Sequence, residues 1–74
     1  MGAQAGELDE QQRAILDLEK RRFKYQGAKE RTIGAELAMP VTEYYQRLNA
    51  LLDSPAAWAA EPALVRRLSL QRDS

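Results

Sequence analysis

The chain has 74 residues, 45% of them hydrophobic and 30% charged, with zero net charge and neither cysteine nor histidine. That is the length and composition of one small globular domain, whose single core supplies only about 3–5 kcal/mol of net stability. It excludes disulfides and thiolate metal sites, removes the commonest general base and transition-metal ligand, and gives no overall electrostatic pull toward nucleic acid.

Residues 1–7 read as a flexible leader. Met1 to Gly6 lacks the charged-then-apolar pattern of a secretory signal, and Gly6 stands where a myristoylation motif on Gly2 requires Ser or Thr. A single helical domain is expected over 8–70, and a flexible end over 71–74. No apolar run approaches the ~20 residues of a membrane span, so no membrane partner is expected and the location is expected to be cytoplasmic.

The first helix is predicted from about Asp9 to Tyr25. Asp9 suits the N-cap, Gln12 completes a capping box, and Gly27 suits the left-handed position just past a helix end. Leu8, Ile15, Leu18 and Phe23 form an apolar stripe with Leu16 and Tyr25 at its margins. Glu19 and Arg22 fall within that stripe and, three apart, are expected to pair or to meet a neighbouring helix.

A second helix is predicted over Ala28 to Ala38, with Ile33 and Leu37 inward and small Gly34 and Ala38 letting a neighbour approach closely. A third runs from about Val41 to Leu52. Val41, Tyr44, Tyr45, Leu48, Leu51 and Leu52 share one side, whereas Thr42, Glu43, Gln46, Asn49 and Ala50 take the other, with Arg47 at its margin. Ser54-Pro55 caps a short turn over Ala56 to Ala60. Its Trp58 either staples the tail to the core or, alternatively, serves an interface. Pro62 opens a last helix with Leu64, Val65 and Leu68 inward and Arg66, Arg67 and Arg72 outward. The fold class is therefore all-α, a compact bundle of three to four helices.

Leu37 to Val41 joins two short helices through a small residue followed by an apolar one, the arrangement a helix-turn-helix requires. Met39 would plug the angle between the helices, and the third helix would project its polar side outward. On that side Thr42, Glu43, Gln46, Arg47 and Asn49 are candidate base-reading residues. Gln and Asn match adenine N6 and N7, Arg matches guanine or phosphate, and Glu accepts only from cytosine N4. Lys20, Arg21, Lys24, Lys29 and Arg31, with Arg22 among them, are candidate phosphate holders, helped by the N-terminus of the second helix. The same features fit an ordinary solvated helix face and charge run.

No catalytic arrangement is present. Ser54, Ser69 and Ser74 lack a recognisable base, Asp17 and Glu19 point to different helix faces, and there is no glycine-rich phosphate loop. No cofactor is expected. Two non-enzymatic readings remain. One is a duplex-DNA-binding module, a transcription regulator or nucleoid-associated protein. The other is a protein-interaction adaptor that docks through Tyr44, Tyr45 and Trp58. A homodimer fits either.

The stretches Arg13 to Glu19 (RAILDLE), Lys24 to Glu30 (KYQGAKE), Tyr44 to Asp53 (YYQRLNALLD) and Pro55 to Leu68 (PAAWAAEPALVRRL) resemble the small actinobacterial family known as domain of unknown function three-two-six-three. The resemblance covers about Leu8 to Leu68. It implies a helix-turn-helix similar to the DNA-reading region of sigma factors, a role in DNA binding or nucleoid organisation, and no catalytic residues. Relatives often carry Gly and Ser where this chain has Ala38 and Pro40, and a basic residue where it has Glu43. They also tend to continue into an arginine-rich tail, and these last two differences imply a weaker hold on phosphate.

Overall fold

The computed structural model describes residues 7–73. The expected leader, Glu7 apart, and Ser74 lie outside the described residues. The described residues are all-helical: α1 is Glu10–Lys20, α2 is Gln26–Thr32 and runs on through a π-helical turn at Ile33–Leu37, α3 is Val41–Leu51, α4 is Pro55–Ala60 and α5 is Pro62–Asp73.

Asp9 begins α1 as the sequence predicts. Its carboxylate accepts from the Gln12 backbone N–H at 2.7 Å, and the Gln12 side chain accepts from the Asp9 N–H at 2.9 Å. Two orphan donors of the first turn are thereby satisfied. The helix ends at Lys20, five residues before the expected end, because Arg21 turns to extended backbone at ψ 154°. Continuing would stack Lys20 and Arg21 under Lys24 one turn on, like-charge pairs that each cost a helix a few tenths of a kcal/mol. Gly27 consequently lies inside α2 instead of closing α1.

The α2 turn closes on Ala38, whose φ of 53° and ψ of 43° are left-handed. The chain then passes through Met39, buried under the angle as expected, to Pro40, which precedes α3 without a side-chain cap. Gly34 is no close-approach point: it is exposed, and a Cβ there would meet nothing within 4 Å. An alanine in left-handed backbone stores about 1–2 kcal/mol, part of which glycine's extra unfolded-state freedom offsets. Ala38→Gly is therefore expected to raise unfolding stability by about 0.5–1 kcal/mol in urea titration. A loss would contradict the turn geometry.

α1, the end of α2 and α3 pack on one another around Ile15, Leu16, Leu18, Ile33, Tyr44 and Leu48, and Ala57, Leu64 and Val65 of α4 and α5 complete the core. Ser54 caps α4 and Pro55 and Pro62 open α4 and α5, as predicted. The Trp58 indole N–H donates to the Leu52 carbonyl at 2.8 Å, tying α4 to the end of α3 while leaving the residue 39% exposed. α5 continues through Asp73, and Arg72 bonds back to the Asn49 carbonyl and the Asp53 carboxylate. No described helix is long and apolar enough to cross a membrane.

Candidate nucleic-acid interface

The amphipathic pattern of α3 places its two sides as the sequence predicts. Tyr44, Leu48 and Leu51 are buried, whereas Thr42, Gln46 and Asn49 are exposed. Their side chains thus stand on one solvated strip of α3. Glu43 and Arg47 flank it and hold each other, Arg47 Nε donating to Glu43 Oε2 at 2.8 Å. The pair leaves both groups partly exposed, 49% and 40% of the respective side chains. The Glu43 charge is thereby offset locally, and Arg47 is held along the helix surface.

The basic run divides. Lys20 pairs with Glu61 at 2.8 Å and Asp17 at 3.5 Å, and Arg21 pairs with Glu36 at 2.9 Å while lying over the Phe23 ring. Lys29 turns inward: it meets Glu19 at 2.9 Å, with only 18% of its side chain exposed, and lies over the Tyr44 and Tyr45 rings. These three cations are each engaged by a carboxylate of the chain itself. Lys24, stacked at 5.8 Å on the exposed Tyr25 ring, and Arg31 remain as exposed charges on the α1–α2 link and α2.

Of the two expectations for Glu19, a pair with Arg22 or a partner on a neighbouring helix, the second holds, and Glu19 is the centre of a network with α2 and α3. It accepts from the Tyr44 hydroxyl and from Lys29, and Gln26 donates to the Tyr45 hydroxyl at 3.1 Å. Burial, and then the Glu19 carboxylate, push the Tyr44 hydroxyl well above its ordinary value of 10.0. Burial opposes the charge on Lys29, but the hydrogen bond and charge of Glu19 outweigh it and raise the amine above 10.5. The available signal was a carboxylate inside an apolar stripe, which marks a buried partner; helical spacing alone could not show that the partner lies ten residues on, across a turn. Arg22 is left exposed at the surface.

The network fixes α3 against α1 and α2 on its inner side and so sets which α3 residues face water. The outer side offers amide donors and acceptors at neighbouring helical positions with one ion pair beside them. That array suits recognition of flat, hydrogen-bonding groups and contains no nucleophile–base pair.

A family model described as "Protein of unknown function (DUF3263)" matches residues 7–74. No curated protein and no solved structure matches the chain.

Proposed function

The chain belongs to the family of "Protein of unknown function (DUF3263)", and from its α3 surface we propose that it is a DNA-binding helix-turn-helix protein that reads the duplex major groove with α3. The observation that carries this reading is the solvated strip of Thr42, Gln46 and Asn49 on a helix whose other side is core, reached through a short left-handed turn from α2. A helix presenting its side chains this way is what major-groove docking requires. Gln46 and Asn49 pair with adenine edges, Thr42 with a base edge or thymine methyl, and the Glu43–Arg47 pair offers an acceptor for cytosine and a donor for guanine. Lys24 and Arg31 hold phosphate. In the cell such a protein would act at the nucleoid, as a transcription regulator or nucleoid-associated protein.

Docking on a protein through Tyr44, Tyr45 and Trp58 has less support. Tyr44 is fully buried and Tyr45 lies under Lys29, which leaves Trp58 from that patch.

Fluorescence anisotropy with labelled duplexes across a salt series tests the reading. Two phosphate contacts set a slope of log affinity on log salt of at least about −1.8. Gln46→Ala is expected to change preference among duplexes and leave that slope intact, whereas Lys24→Ala and Arg31→Ala weaken all duplexes alike. No duplex binding at low salt rejects the proposal.

A further inference from the structure

Five cations are neutralised within the chain: Lys20 by Asp17 and Glu61, Arg21 by Glu36, Lys29 by Glu19, Arg47 by Glu43, Arg72 by Asp53. Arg22 and Arg67 are different. One comes from the link after α1 and the other from α5, 45 positions apart by residue number (67 − 22). They line a single surface hollow with Lys20 and Arg21. Among the described residues neither has a hydrogen-bond or ion-pair partner, and both are exposed. The one carboxylate in the hollow, Glu19, is 6% exposed at its side chain and already holds Lys29 and the Tyr44 hydroxyl. The hollow therefore carries uncompensated positive charge.

Its location gives that charge a use. A second hollow shares its wall of Glu19, Leu68 and Gln71 and extends to Asn49, on the solvated strip of α3. Two guanidiniums lining one concavity without a carboxylate partner favour the entry of an anion. Arginine's planar fork matches a phosphate oxygen pair bidentately. We propose that Arg22 and Arg67 form a phosphate clamp, gripping the DNA backbone beside the bases read by α3. The clamp rests on the DNA-binding reading above and adds α5 to the contact surface, an element to which sequence pattern gave only a packing role. With Lys24 and Arg31 it brings the phosphate contacts to four, and the expected salt slope to about −3.6.

The test is the same anisotropy series on Arg22→Ala, Arg67→Ala, the double variant and, as a control, Arg13→Ala. Arg13 is exposed near the other end of α1, in a hollow lined by Ala56 and Ala60. Removing one phosphate contact shallows the slope by about 0.9, which at 0.1 M salt is about an eightfold loss of affinity, and about sixtyfold for both. Arg13→Ala is expected to bind as the parent does. All three positions are at the surface, so the folded state is retained, and circular dichroism verifies it. If the parent binds duplex DNA and responds to Gln46→Ala, but the double variant keeps the parent slope, the clamp is overturned and the reading by α3 stands. If the parent binds no duplex, both fall.

Discussion

Glu19→Ala is expected to lower unfolding stability by about 3 kcal/mol or more, the usual loss when one partner of a buried ion pair is removed. The pair qualifies as buried: Glu19 and Lys29 side chains are 6% and 18% exposed. Removing the carboxylate strands the Lys29 ammonium between two tyrosine rings and leaves the Tyr44 hydroxyl without its acceptor in the core. A domain this small has only about 3–5 kcal/mol in hand, so the variant is expected to be largely unfolded near body temperature. Replacing both charges, as Glu19→Met with Lys29→Met, removes the stranded ammonium and is expected to recover the share of the loss it causes, while the Tyr44 hydroxyl still lacks its acceptor. Urea titrations followed by Trp58 fluorescence measure both. A loss below 1 kcal/mol for Glu19→Ala would show that water reaches the pair and that the network does not fix α3.

The same network makes the fold sensitive to alkali. The Tyr44 hydroxyl is held above its ordinary 10.0, by burial first and the Glu19 carboxylate second. Lys29 is held above 10.5, because the hydrogen bond and charge of Glu19 prevail over the burial that alone would lower it. Both groups keep their protons in the folded state at pH values where the unfolded chain sheds them. Their contribution is complete below pH 10 and is lost as pH rises beyond it. Stability is thus expected to be level from pH 7 to about 9.5. Above pH 10 it declines by roughly 1 kcal/mol per pH unit for each proton retained only by the folded state. Tyr44→Phe removes one of the two protons, so its decline begins later and is shallower. Thermal unfolding at successive pH values separates the two proteins. Superimposable alkaline limbs would assign the decline to groups outside the network.

What was legible in the sequence follows the range of the interactions involved. The Asp9–Gln12 capping box, Ser54-Pro55 and Pro62 are satisfied by bonds within one helical turn, so residue type and spacing specify them. The two sides of α3 are likewise local, because a 3.6-residue period sorts Tyr44, Leu48 and Leu51 from Thr42, Gln46 and Asn49. The end of α1 is legible only in part: the like-charge spacing of Lys20 and Arg21 with Lys24 is local but small, and both cations also meet Glu61 and Glu36, carboxylates on other elements. Gly27 is a good helix terminator that the fold does not use as one, since α2 has already begun at Gln26.

The candidate site divides along the same line. The solvated α3 strip proposed to read bases follows from periodicity alone. The candidate phosphate holders rest on charge density along the chain, which cannot distinguish Lys24 and Arg31, exposed at the surface, from Lys29, drawn over two tyrosine rings by Glu19. Nor can it bring Arg67 to Arg22, because only the fold sets α5 beside the end of α1 so that both line one hollow. Tyr44 shows a related difficulty: an aromatic pair on an amphipathic helix suggests a contact patch, but one ring is core and the other packs edge-on against it at 5.0 Å.

The most direct test of a reading centred on α3 is a two-dimensional NMR titration of the labelled protein with a duplex. The expected result is that the side-chain amides of Gln46 and Asn49 and the backbone of Thr42 move first and furthest, with Arg22 and Arg67 guanidinium signals following. Shifts gathered instead on Trp58, Tyr25 and Leu70, with the α3 amides still, would contradict it.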